Sequence, residues 1–306
     1  MSRLRCVILL ALLPTAMFAS TAVRAQSLEP RAYSNAPVGM NFLLGGYAYS
    51  KGDILPDPSV PAQDVHAEIH TGLVGYSRVV DAWGDSGQVA VLLPYSRVDA
   101  AGTIEGDPRS VSRQGMGDPA LRLSMNFIGA PALTAEQFAA YRQATIVGAS
   151  LLVTAPWGHY ESDKVINIGT NRWSFKPEVG VSHALDRWIF EAAFATTFFT
   201  ANDEYLVSHT REQAPLYSTQ LHVVYNFRPG MWVAIDYTYF AGGRTTVDGA
   251  QNNDLVQSNR WGLTFALPVD RQNSVKFYAS TGLTARAGTD FNVVGAAWQY
   301  RWGGGL

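Results

Sequence analysis

His66, Glu68 and His70 (HAEIH) carry the side-chain types that ligate zinc or copper. On a strand the three share one face and Val65, Ala67, Ile69 and Thr71 share the other. Alternate strand residues lie about 6.5–7 Å apart, which is loose for three ligands on one ion. The chain also lacks the cysteines and the second histidine cluster of a zinc site. The expectation is therefore a polar wall facing the lumen of a barrel, with no metal and no cofactor. A longer set of charges alternates with apolar residues in the same way: Arg78, Asp118, Arg122, Arg172, Lys176, Glu178, Glu191, Asp236, Arg260, Lys276 and Arg301. Facing lipid, an unpaired charge costs up to about 2–4 kcal/mol, so all of these are expected on the lumen side. Both signs are present. They could brace a narrow barrel or form a charged selectivity filter, and bracing is preferred. Hydrolytic chemistry needs a nucleophile beside a base. Ser182 and His183 are neighbours on a strand and point to opposite faces, and His159 sits in a loop without a third partner. No enzyme is expected, and no nucleotide-binding fingerprint is present to drive transport.

The elements that must position these residues are strands. Trp173, Phe175, Pro177, Val179 and Val181 alternate with Arg172, Ser174, Lys176, Glu178 and Gly180. The same period of two recurs at Phe190–Phe198, Tyr217–Phe227, Trp261–Leu267 and Val294–Trp302. It predicts about twelve strands near 39–50, 65–79, 88–98, 114–127, 143–155, 171–184, 188–200, 215–227, 231–241, 256–267, 273–284 and 290–302. Connections alternate between short (Asp81–Gly87, Ala184–Arg187, Arg228–Gly230, Pro268–Gln272) and long and polar (Lys51–Asp64, Asp99–Arg113, Pro156–Thr170, Ala201–Ala214, Gly242–Leu255). Short periplasmic turns and long external loops give that rhythm. Ile128–Arg142 breaks it, and Thr134 with Gln137 predicts a short capped periplasmic helix there.

The segment boundaries follow. Arg3 and Arg5, the apolar run Val7–Leu13 and the small pair Val23 and Ala25 read as a signal peptide over 1–25. The single Cys6 precedes the apolar run, so neither a lipid anchor nor a disulfide is expected. Residues 26–38 read as a leader that is flexible or tucked into the barrel mouth, 39–302 as the barrel and 303–306 as a tail. Loss of residues 1–25 removes Arg3, Arg5 and Arg24 and no acid, leaving 20 cations against 25 acids, a net charge of −5. Nucleic acid is not an expected partner. Charged residues are 16% and aromatics 12%, against roughly 25% charged in soluble domains. No apolar run reaches about 18 residues, so a membrane could be crossed only by a closed barrel. Tyr47, Trp173, Trp188, Tyr217, Tyr237, Tyr239, Trp261, Trp298 and Trp302 are expected in interfacial girdles.

Three sequence words carry a resemblance. They are Gly115-Met-Gly-Asp118 before Leu121, Leu123 and Met125; Pro156-Trp-Gly-His-Tyr160; and Asn167-Ile-Gly-Thr-Asn-Arg-Trp-Ser-Phe175 before Pro177 and Glu178. Together they resemble the outer-membrane transporter family labelled "putative meta-pathway of phenol degradation", over about residues 36–302. The resemblance implies a porin-like barrel in the bacterial outer membrane that takes up aromatic or other poorly soluble compounds, and it brings no catalytic residues. The expected partners are outer-membrane lipid, the barrel-assembly machinery and a small-molecule solute. One departure is the end of the chain, where Gly303-Gly-Gly-Leu306 follows Tyr300 and Trp302 instead of a terminal aromatic. The alternatives kept are a structural or adhesive barrel and an outer-membrane hydrolase.

Overall fold

The computed structural model describes residues 29–55, 62–104, 107–285 and 288–305; the segment 1–25, expected to be a signal peptide, lies outside the described residues. In chain order the elements are β1 (Met40–Leu55), β2 (Ala62–Ala82), β3 (Asp85–Ile104), β4 (Asp107–Met116), β5 (Ala120–Ile128), α1 (Ala135–Ala140), β6 (Thr145–Thr154), β7 (Ser174–Leu185) and β8 (Trp188–Phe199). They continue with β9 (Asn202–Tyr205), β10 (His209–Gln213), β11 (Leu216–Arg228), β12 (Met231–Gly242), β13 (Thr245–Val247), β14 (Ala250–Gln251), β15 (Val256–Pro268), β16 (Asn273–Ala285) and β17 (Gly288–Gly303). Thirteen segments form one antiparallel sheet that closes through the β2–β3 pairing. β4 and β5 are two halves of one stave, interrupted at 117–119, so the barrel has twelve staves. Among the described residues no helix is long and apolar enough to cross a membrane; the strands cross it.

The wall sorts its faces by parity. On β7, Phe175, Val179 and Val181 are exposed while Glu178 and Ser182 are buried inside. Leu123, Phe190, Phe194, Leu221, Ile235, Leu263, Phe277 and Val294 extend this exposed apolar belt around the barrel. In water such a surface would aggregate; in lipid it is the matching face. Tyr47, Trp173, Trp188, Tyr217, Trp261 and Trp298 lie on it, and Trp298, Tyr300 and Trp302 stack in sequence along the closing strand.

Two expectations about connections change. Lys51–Asp64 and Asp99–Arg113 are not long loops. β1 runs to Leu55, β2 starts at Ala62, β3 runs to Ile104 and β4 starts at Asp107. These hairpins rise well beyond the belt because their inward residues Ala67, Ile69, Val98 and Ala100 pack into a cluster with Ile168 and Phe291. The other long connections fold locally: β9, β10, β13 and β14 make a small four-stranded sheet above the rim. At the opposite end α1 forms as predicted, with Thr134 Oγ1 accepting from the Gln137 amide and Gln137 capping Thr134 in return.

Candidate functional site

The lumen is a cavity of 2010 Å³ that chain segments other than the wall enter from both ends and narrow. From the end with the short turns, which is the periplasmic end, residues 29–38 enter and bond to the wall. The Arg31 amide donates to Glu191 Oε2 at 2.6 Å and its guanidinium donates to Asn226 at 3.2 Å. Tyr33 donates its hydroxyl to Glu178 at 2.9 Å, and Glu29 pairs with Arg122. The Tyr33 ring lies flat on two glycines. A Cβ on Gly180 would stand 2.3 Å from Tyr33 Cε2, and one on Gly148 2.5 Å from Cδ1. The leader is thus seated where Gly148 and Gly180 leave room on the wall.

From the extracellular end the closure is the segment between β6 and β7. Asp118, at the stave interruption, accepts from the Gly158 amide at 2.9 Å, the Thr170 amide at 2.8 Å and the Thr170 hydroxyl at 2.7 Å. The His159 amide donates to Met116 O and the Gly169 amide to His159 O. A Cβ on Gly158 would meet Asp118 Oδ1 at 2.7 Å, so only glycine lets the backbone come this close. The segment so pinned carries Ile168, with Ile166 beside it, into the apolar cluster at the top of the lumen. Arg172 lies over the Phe199 ring at 4.6 Å and donates to Gln213, tying this segment to the small sheet. Burial pushes the Tyr160 hydroxyl in this cap above its usual range.

The predicted lumen residues divide three ways. Arg122, Lys176, Glu178, Glu191, Asp236, Arg260, Lys276 and Arg301 have inward parity in the strand registers. Arg122 donates to Ser150 and Glu178, both at 3.3 Å, and Lys176 pairs with Glu178 at 3.1 Å. Arg260 donates to Ser280 and to Phe291 O. Arg301, at the periplasmic rim, donates to Arg271 O. Asp118 and Arg172 belong to the extracellular closure instead. His66, Glu68, His70 and Arg78 are a correction: they face outward. They share parity with the exposed Val74 and Tyr76, while Ala67 and Ile69 point in. Glu68 pairs with Lys51 at 2.7 Å, His66 with Asp53, and Tyr47 meets His70 at 2.6 Å, all on the outer surface of the raised hairpins. Arg78 donates to Asn41 near the opposite end. Charge is tolerated there because these rows lie beyond the apolar belt. Among the described residues no group of three or more His, Cys, Asp or Glu is placed to hold a metal ion.

Sequence reasoning missed Glu29, Arg31 and Tyr33, which lie before any periodic segment. It also left out His222, although His222 shares parity with Ser218 and Gln220. His222 Nδ1 lies 2.6 Å from Asp236 Oδ1, and Thr264 donates to the other oxygen at 2.7 Å. The hydroxyl bonds to the carboxylate and not to the imidazole, so this trio braces β11, β12 and β15. Ser182 donates to Glu191, while His183 points out and bonds to Thr145.

A twelve-stave closed barrel with a lipid-facing belt and chain segments inside its lumen defines an outer-membrane β-barrel. The family model described as "Putative MetA-pathway of phenol degradation" matches residues 49–298, and the chain belongs to that family. Among solved structures the chain is similar to an outer membrane channel from Pseudomonas putida F1, with a TM-score of 0.77 at 21% identity over 90% of this chain and 100% of that one. It is also similar to the transport unit of the autotransporter AIDA-I from Escherichia coli, with a TM-score of 0.54 at 7% identity over 92% and 94% of the two chains. Both likenesses are of fold. No curated protein sequence is detectably similar to the chain.

Proposed function

We propose that the barrel is a passive channel, not an enzyme, that lets small, moderately hydrophobic solutes, aromatic acids among them, cross the outer membrane. The observation that carries this is how the lumen is closed. The wall encloses a 2010 Å³ space, and what fills its ends is a leader held by side-chain contacts and a pinned loop. Both can leave without breaking a strand pairing. The space is lined by Phe42, Leu44, Leu92 and Trp232 together with Lys176 and Lys276. Apolar groups give a hydrophobic solute somewhere to go, and the lysines favour a carboxylate in a low-dielectric passage. The family label, which concerns phenol degradation, is in line with that solute class, though fold analogy does not fix a substrate. Movement runs down the gradient. The wall's partner is outer-membrane lipid, and the outward aromatics Tyr300 and Trp302 on the closing strand are what the barrel-assembly machinery would read. Liposomes containing the protein should take up benzoate faster than protein-free ones. Equal uptake together with no conductance in planar bilayers refutes the channel and leaves a structural barrel, the reading that a lumen narrowed from both ends would favour.

A further inference from the structure

The leader's innermost contact points to a binding site. We propose that Arg122 and Lys276 form a carboxylate site across the lumen, that the protein's own Glu29 occupies it here, and that a monocarboxylate with an apolar body takes it by displacing Glu29. The proposal rests on the channel reading above and names the solute chemistry that reading leaves open.

The geometry begins with the two cations. Arg122 is on β5 and Lys276 on β16, five staves apart in a ring of twelve and so on opposing walls. Glu29 pairs with Arg122, and Glu29 and Lys276 line the same cavity. Among the described residues Lys276 makes no hydrogen bond or ion pair of its own. An ammonium that faces a narrow protein-lined lumen favours an anion beside it. The other carboxylate near Lys276 is Asp236, whose two oxygens are already taken by His222 and Thr264. Glu29 is therefore the anion that the leader lends to this site.

The fixed wall cannot replace it. Glu178 is the wall acid beside Arg122, and it is shared with Lys176 and with the Tyr33 hydroxyl. Once Glu29 leaves, Arg122, Lys176 and Lys276 share only Glu178 and the already bonded Asp236. An incoming anion meets a surplus of positive charge instead of replacing a neutral contact. The surroundings of Lys276 select the rest of the ligand. Its register neighbours are Ala266 and Ala297, and the same rung continues to Trp232 on one side and to Gly46 and Leu73 on the other. Small and apolar residues flank a single cation, which leaves room for a ring or a short chain behind a carboxylate. Arg31 and Tyr33 keep the rest of the leader tethered, so displacement of Glu29 does not require the leader to leave the lumen.

The test measures benzoate and benzamide binding to the purified full-length mature barrel by equilibrium dialysis at neutral pH. Glu29→Gln lies outside the strands and leaves the wall intact. An intramolecular competitor acts at an effective concentration in the millimolar range, so its removal should tighten benzoate binding by about tenfold and leave benzamide unchanged. Lys276→Gln should weaken benzoate binding both in the wild type and in the Glu29→Gln background. Unchanged benzoate affinity in Glu29→Gln, or an equal gain for benzamide, overturns the site. Benzoate uptake by wild-type liposomes combined with unchanged affinity in Glu29→Gln removes the site and keeps the channel. Tighter binding in Glu29→Gln without uptake removes the channel and keeps the site.

Discussion

Asp118 is the place to test how the extracellular end closes. Its carboxylate accepts three hydrogen bonds at 2.7–2.9 Å from Gly158 and Thr170, and all three are partly buried. Hydrogen bonds to a charged acceptor are each worth about 1.5–3 kcal/mol. Taking the low end for partly solvated groups, Asp118→Ala should cost the docked loop about 4.5 kcal/mol. At 1.4 kcal/mol per factor of ten, that moves the docking equilibrium by about three orders of magnitude. A loop open about 1% of the time would become mostly open. Asp118→Asn keeps one acceptor oxygen and should fall between. Hydrogen exchange at the Gly158 and Thr170 amides reads the docking directly, and single-channel recording reads its consequence, a higher mean conductance. Exchange rates that do not rise in Asp118→Ala refute the pin. Faster exchange with unchanged conductance refutes the idea that the pinned segment closes the path.

Leu123 faces lipid and Arg122 the lumen, so Leu123→Arg should lower folding yield into liposomes, by about 2–4 kcal/mol near the midplane, while Arg122→Leu should fold; the reverse ranking would put the register off by one. Gly180→Val places a branched side chain where the Tyr33 ring lies, so it should expel the leader, expose residues 29–38 to protease and raise conductance; an unchanged digestion pattern would show that the ring is not held by that glycine.

The fold was legible where lipid imposes a difference between the two faces of a strand. The expected bounds of β7 and β8 lie within three residues of the observed ones because Phe175, Val179, Phe190 and Phe194 must meet lipid while Glu178 and Glu191 must not. The rule weakens above the belt. β2 has 21 residues where about ten cross a bilayer, and beyond the membrane the outer face is free to be polar. His66, Glu68 and His70 were assigned inward because they are charged or polar, although parity counted from Val74 and Tyr76 puts them outside. The same excess length made the ends of β1, β3 and β4 read as loops. The leader's contacts were illegible for a different reason: the fit of Tyr33 onto Gly148 and Gly180 joins positions 115 and 147 residues apart and leaves no periodic trace. The family words behave differently again. Gly117-Asp118, Gly158-His159 and Gly169-Thr170 come from three separated motifs and bond to one another at a single point on the rim. Glycine and aspartate are needed there because the backbones touch and their amides need an anionic acceptor. These motifs therefore encode how the mouth is held shut. Glu29, Arg122 and Lys276, where we place the choice of solute, lie outside all three, so barrels that share these words are free to differ in what they pass.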